Sequence, residues 1–471
     1  DEQRLAVDKA VTGLPLKVEA GAGTGKTTTL VAISKALVGT GRCRRGLYLA
    51  FNRAIAESAG AKLPPEVESR TAHALAYRAV GHRFRHRLGR LTGTHLVASE
   101  QLTAAPGGLS VAALGNLALG IVNRFTHSAA PVIGLEHLPE SELAPLPDDK
   151  ARMAMAAAAL EVAQKAWQRL ADPHGTLPIT HDVYLKLWAL TEPKLPADLI
   201  LFDEAQDANP VLLDLVQRQA AQVVWVGDRY QAIYGWRGAV NAMDRIRTPH
   251  TCALTQAFRF GPAIADLANT VIHRLLREPP FLRGNPARSS RIAPAGVGPE
   301  AVLCRTNGRL VDVLLQQQVV GTAAALLGGT GELTALLRDA RALKDWRRPA
   351  TGPLAMFADW ATVEAHAATE AGRDLQTLVK LLQRRDADTL LRATERAGRI
   401  PAAEADIVLA TAHKAKGCEW RSVRLADDFF EPDERPYPRE EANLLYVAVT
   451  RAMDWLDPGG VAGSLGNAPV G

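Results

Sequence analysis

The chain has 471 residues, 47% hydrophobic and 22% charged, a balance that excludes wholesale disorder and predicts roughly three or four packed units. A net charge of +5 gives a mild bias toward polyanions, and the four cysteines (Cys43, Cys252, Cys304, Cys418) lack the C-x-x-C spacing of a zinc site or disulfide framework. No apolar run approaches membrane length, and the opening "DEQRLAVDKA" lacks the order of a secretion signal, so a cytoplasmic protein without membrane association is expected.

Along the chain, the first expected strand is "LPLKVEA" (14–20), which feeds a glycine-dense turn and then a helix opening on Lys-Thr-Thr. Helical periodicity dominates from Arg78 to Pro196, including the alanine-rich stretch 150–171, and reads as an insertion between strands. Strand character returns in "ADLILFDEAQD" (197–207) and, after the helix-like "PVLLDLVQRQ", in "AAQVVWVGD" (220–228). A second sheet is expected after Thr251, with strands in "EAVLCRTN" (300–307) and "ADIVLATAHKAKG" (405–417). The segment 283–299 reads as a loop, and residues 330–400 as a second helical insertion. Strands alternating with helices predict an α/β protein with parallel sheets, whose function lies at the strand C-terminal ends.

The turn "AGAGTGKTT" (20–28) departs from the P-loop pattern only at Ala20, where a glycine is usual. Gly21, Gly23 and Gly25 still let backbone N–H groups converge on an anion at a helix N-terminus. Lys26 is then placed for the β- and γ-phosphates of a nucleotide, and the Thr27 hydroxyl for Mg²⁺. At the end of the apolar "LILF", Asp203 is the expected carboxylate for the metal, held through water, and Glu204 the group that orients and deprotonates the attacking water.

These motifs, with "VGDRYQAIYGWRGA" (226–239), "TAHKAKGCEW" (411–420) and "NLLYVAVTRA" (443–452), resemble in content and order the UvrD/Rep family of superfamily 1 DNA helicases. The segments "LYLAFNRAIAESA" and "VRLADDF" are most similar to its compact, F-box-DNA-helicase-like branch. The resemblance implies an α/β fold with two RecA-like parallel-sheet P-loop domains, each with a helical insertion. It assigns 1–75 and 196–250 to the first domain, 76–195 to its insertion, 251–329 and 401–457 to the second domain, 330–400 to its insertion and 458–471 to a tail.

By position, the resemblance implies that Gln3 reads adenine, Phe258 stacks on it and Glu419 contacts the nucleotide sugar, while Ala22, Gly23, Thr24, Gly25, Lys26, Thr27 and Thr28 cradle the phosphates. Gln231 becomes the γ-phosphate sensor, and Arg259 and Arg451 the arginine fingers. Phe51, Asn52, Thr71, His73, Tyr234, Trp236, Arg237 and His413 are assigned to single-stranded DNA, with aromatic faces stacking on bases irrespective of sequence. Arg78, Arg83, Arg85, Arg87 and Arg90 form a basic run suited either to backbone phosphate or to a solvated face. The implied activity is ATP- and Mg²⁺-dependent 3′-to-5′ translocation on single-stranded DNA and unwinding at single/double-strand junctions, by a monomer whose candidate partners are repair, recombination or defence proteins. A translocase that strips proteins from DNA and a non-enzymatic nucleotide-gated switch are the alternatives.

Overall fold

The computed structural model describes residues 1–106, 110–139, 148–235, 241–294, 298–347, 359–368, 372–429 and 437–461, with Leu143, Gly238, Leu354 and Phe357. It divides into two units, one comprising Asp1–Ala20 and Lys26–Leu254, the other Gly21–Gly25 and Thr255–Gly471.

In the first unit, β1 (Leu16–Ala20), β2 (Gly46–Ala50), β3 (Val67–Thr71), β4 (Leu199–Phe202), β5 (Gln222–Gly227) and β6 (His250–Leu254) form one sheet in the order β3-β2-β4-β5-β1-β6. Every pairing is parallel. The central strands "GLYLA" and "LILF" are buried throughout, as strands covered on both faces must be. Alternate residues nevertheless separate into two cores. Leu47, Leu49, Ile200, Phe202, Val223 and Trp225 join the helices inserted between β3 and β4, including Val111–His127 and Asp149–Ala171. Tyr48, Leu199, Leu201, Val224 and Val226 join the opposite core, with residues of the helices Glu2–Val11 and Lys26–Gly39.

In the second unit, β7 (Arg291–Ile292), β8 (Ala301–Cys304), β9 (Ala324–Leu326), β10 (Ile407–Thr411), β11 (Trp420–Leu425) and β12 (Ala452–Asp457) form another parallel sheet, ordered β7-β12-β11-β8-β10-β9. The helices Gly331–Lys344, Trp360–Ala367, Arg373–Arg384 and Ala387–Ala397 lie between β9 and β10 and share a core with Val302, Cys304 and Leu409.

The fold is thus α/β, with two RecA-like parallel sheets, each interrupted by helices. The second sheet follows Thr251 as expected, with β8 and β10 inside 300–307 and 405–417, although Thr251–Leu254 itself still belongs to β6, whose residues pair with β1 from Leu16↔His250 to Ala20↔Leu254. Its alternating burial is that of an edge strand, a pattern too short to stand out in the sequence. The segment 283–299 is not loop alone, because Arg291–Ile292 pairs with Trp455 and Leu456 of β12. Among the described residues no helix is long and apolar enough to cross a membrane. Cys43, Cys252 and Cys304 are buried thiols and Cys418 is half-buried.

Candidate nucleotide and nucleic-acid site

The first unit sets its chemistry at the C-terminal ends of β1 and β4. These strands are separated by β5, which leaves a gap of about 10 Å between their ends. Helix Lys26–Gly39 starts beside that gap and aims its first residues across it. Thr27 Oγ1 lies 3.5 Å from Asp203 Oδ2, and Lys26 Nζ lies 3.9 Å from Glu204 Oε1. Asp203 is 3% exposed, and Tyr48 from β2 donates its hydroxyl hydrogen to Asp203 Oδ2. Burial, then the neighbouring charge of Glu204, pushes the Asp203 carboxyl above its ordinary range, while burial beside Asp203 raises the Tyr48 phenol and keeps it a donor. A hydroxyl and a carboxylate in this arrangement are the hard oxygen donors that Mg²⁺ takes.

Glu204 adopts the left-handed conformation, φ 52° and ψ 43°, and its N–H donates to Asp203 Oδ1 at 2.9 Å. The turn after β5 is organised by Asp228, which accepts from the Tyr230 N–H at 3.1 Å and from Gln231 Nε2 at 2.6 Å. Gln231 is buried, whereas Gln3 is half-buried on helix Glu2–Val11 and Thr28 is exposed.

Residues Gly21–Gly25 pack with the second unit. Thr24 Oγ1 closes the turn on Gly21 O at 2.9 Å, Tyr446 OH accepts from the Ala22 N–H at 3.1 Å, and Phe258 N–H donates to Gly23 O at 2.8 Å. Gly23 has φ +72°, and a Cβ there would meet Arg259 Cβ at 2.6 Å, so only glycine fits. Ala20 is an ordinary β1 residue paired with Leu254, which explains why alanine serves where the motif usually has glycine.

The second unit brings Arg259, Glu419 and Arg451 together. Arg259 Nε bonds Glu419 Oε2 at 2.6 Å, and its Nη1 donates to Thr450 O at 3.1 Å. Arg451 is 1% exposed and donates to Val447 O at 2.9 Å, Cys418 O at 3.2 Å and Thr450 Oγ1 at 3.0 Å. Phe258 next to them is 52% exposed.

Of the residues assigned to DNA, Phe51 at the end of β2 and Tyr234 form a stacked pair. Asn52 and Thr71 have structural work as well: each caps a helix, accepting from Ile55 N–H at 2.9 Å and from Ala74 N–H at 3.1 Å. His73 Nε2 lies 3.1 Å from Asp182 Oδ1, and His413 sits in the short helix Ala412–Ala415 capped by Thr411. Trp236 and Arg237 lie outside the described residues. Within the basic run, Arg78, Arg83, Arg85 and Arg90 are exposed, but Arg87 is buried and donates to Leu170 O at 2.9 Å, at the end of helix Asp149–Ala171. Arg87 therefore does not belong to a phosphate-binding face. Sequence reasoning missed Tyr48, Gln206, Asp228 and Tyr446: Tyr48, Gln206 and Tyr446 each have a partner in another element, whereas Asp228 bonds within its own turn. Only Tyr48 left a trace, as the one hydroxyl in the buried strand "GLYLA".

Comparison with known proteins agrees with this construction. An AAA domain model matches residues 3–237, and a UvrD-like helicase C-terminal domain matches residues 406–456. F-box DNA helicase protein 1 of Schizosaccharomyces pombe is 31% identical over 506 residues, covering 96% of this chain and 56% of the relative. F-box DNA helicase 1 of Gallus gallus is 29% identical over 503 residues, covering 97% and 48%. The ATP-dependent DNA helicase PcrA of Leuconostoc citreum is 34% identical over 77 residues, 15% of this chain and 10% of that one. The chain spans about half the length of the F-box relatives it matches. With an AAA domain model over residues 3–237, a UvrD-like helicase C-terminal domain and similar F-box DNA helicases along nearly its whole length, the chain belongs to the UvrD-like family of superfamily 1 helicases.

Proposed function

We propose that this chain hydrolyses ATP with Mg²⁺ to move 3′ to 5′ along single-stranded DNA and unwind duplex at junctions. The observation that carries the reading is the convergence of Lys26, Thr27, Asp203 and Glu204 at the ends of β1 and β4. A structural ion pair would account for Lys26 and Glu204 alone; it would not account for a buried aspartate held by Tyr48 against the Thr27 hydroxyl. The names of the relatives, DNA helicases from a yeast, a bird and a bacterium, support the same reading.

In this mechanism Lys26 binds the β- and γ-phosphates, and Thr27 and Asp203 are the residues that would hold Mg²⁺. When bound, the ion supplies neutralisation of phosphate charge. Glu204 orients the attacking water and takes its proton on a carboxylate oxygen. Gln231 senses the γ-phosphate, and Arg259 and Arg451 offset charge developing on the transferring group. Gln3, Phe258 and Glu419 hold base and sugar. Phe51 and Tyr234 present a sequence-tolerant platform for bases.

The test pairs steady-state ATPase, with and without single-stranded DNA, with strand displacement on duplexes bearing a 3′ or a 5′ tail. DNA-stimulated hydrolysis and unwinding from the 3′ tail are expected. Absence of hydrolysis under all conditions would overturn the reading, and unwinding only from the 5′ tail would reverse the direction.

A further inference from the structure

Gln206 is 0% exposed and has no place in the roles given above, yet its amide joins two parts of the site. Nε2 donates to Glu204 Oε2 at 2.5 Å and lies 3.4 Å from Asp207 Oδ2, while Oε1 accepts the Asp228 N–H at 3.0 Å. The polarity is forced: only the NH₂ end can face carboxylates, and only the oxygen can face an N–H. Asp228 in turn holds Gln231 Nε2 at 2.6 Å. A second, independent feature points the same way. β5 ends in Gly227, where a Cβ would meet Gln206 Oε1 at 2.6 Å and Met243 Sδ at 2.8 Å. Glycine weakens a buried strand, but here it lets the amide reach the backbone.

We infer that Gln206 is a positioning residue that ties the hydrolytic carboxylate of Glu204 to the Asp228–Gln231 turn, so that displacement of the turn re-aims Glu204. The turn continues to Tyr234, which stacks on Phe51, so a change at the proposed DNA platform reaches Glu204 through this amide. The inference rests on the reading of Glu204 as the group that acts on water. Gln206 touches no nucleotide in this scheme and acts only through Glu204 and Asp228.

Two substitutions separate positioning from packing. Gln206→Leu removes both polar ends, and Gln206→Glu keeps the volume but replaces the donor facing Glu204. Each is expected to lower kcat for ATP at saturating single-stranded DNA by at least about 30-fold, part of the contribution of a well-placed general base. KM for ATP and Kd for single-stranded DNA should stay within about 3-fold, the split expected when only the reacting geometry is lost. In a double-mutant cycle, Gln206→Leu combined with Glu204→Gln should be no more than about 2-fold slower in single turnover than Glu204→Gln alone, because Gln206 acts on the reaction only through that carboxylate. Should Gln206→Leu fail to fold by circular dichroism, Gln206→Glu carries the same measurements. A kcat within about 3-fold of wild type in a folded variant, or multiplicative losses in the cycle, would overturn the inference. A wild-type protein without DNA-stimulated hydrolysis would instead refute the proposed function, so the two failures are distinguishable.

Discussion

Phe51 and Tyr234 stack with ring centroids 5.6 Å apart and planes 8° from parallel, and Phe51 remains 40% exposed. One ring follows β2 and the other follows the Asp228–Gln231 turn, so the pair is assembled by the fold rather than by neighbouring sequence. A half-exposed aromatic pair contributes less to a core than to a surface that receives planar groups. Phe51→Ala and Tyr234→Ala should each weaken single-stranded DNA binding by about 1–3 kcal/mol, irrespective of base sequence. Fluorescence anisotropy with homopolymeric oligonucleotides checks this, and unchanged affinity would assign the pair to packing.

Lys26→Ala and Glu204→Gln should both abolish turnover while differing in binding. In the proposed mechanism Lys26 holds phosphates in the ground state, whereas Glu204 acts on the attacking water. Equilibrium titration with a fluorescent ATP analogue should show weakened binding for Lys26→Ala and near-normal binding for Glu204→Gln. Turnover at the wild-type rate in either variant contradicts the assigned role.

The two arginines of the second unit should separate on stability. Both Arg259→Ala and Arg451→Ala are expected to lower kcat by roughly 10³-fold. Arg451 also satisfies Val447 O and Cys418 O in the interior, so its loss should cost about 1–3 kcal/mol in addition. Arg259 is less deeply set, with 17% of its side chain exposed, and its removal should cost less, about 1 kcal/mol for its bonds to Glu419 and Thr450 O. Thermal unfolding alongside ATPase tests the distinction.

Lys186 supplies a pH dependence away from the site. Burial pushes its ammonium down to about 8, against the opposing pull of Asp214, although it donates to Ser128 O at 2.6 Å and Ala130 O at 2.7 Å and lies 4.3 Å from the centre of the Phe125 ring. Because the folded pKa lies below the usual 10.5, the unfolded chain binds more protons between these values, and Lys186 makes stability rise with pH across that window. The difference in unfolding free energy between wild type and Lys186→Met should move in favour of wild type by roughly 2–3 kcal/mol from pH 8 to pH 10.5. A flat difference would show that the ammonium is not desolvated.

Strands β4 and β5 were legible because buried parallel strands are short apolar runs and these end abruptly in acidic groups, while β1 was marked by the glycine-rich turn that follows it. The edge strands β3 ("VESRT") and β6 ("HTCAL") were not, since strands half-covered in this way look like polar loop over so few residues. Asp203 and Glu204 could be read because they follow β4 directly, and Lys26 and Thr27 because they close the glycine-rich turn after β1. Tyr48, Gln206 and Tyr446 could not, because hydrogen bonds between distant residues leave no local pattern. Arg87 was grouped with its charged neighbours, but the segment Gly81–Arg87 is a 3₁₀ helix whose three-residue repeat turns Phe84 and Arg87 to the same inner side.

Glu204 occupies a backbone conformation that costs a residue with a Cβ roughly 1–2 kcal/mol and costs glycine almost nothing. Glu204→Gly relieves that cost but strips the buried Gln206 amide of its carboxylate partner, so the two effects offset and the melting temperature should move by only a few degrees while the proposed base is lost. A search for variants by folding alone would therefore pass dead proteins at this position, and only a screen that demands work from each molecule would keep the glutamate.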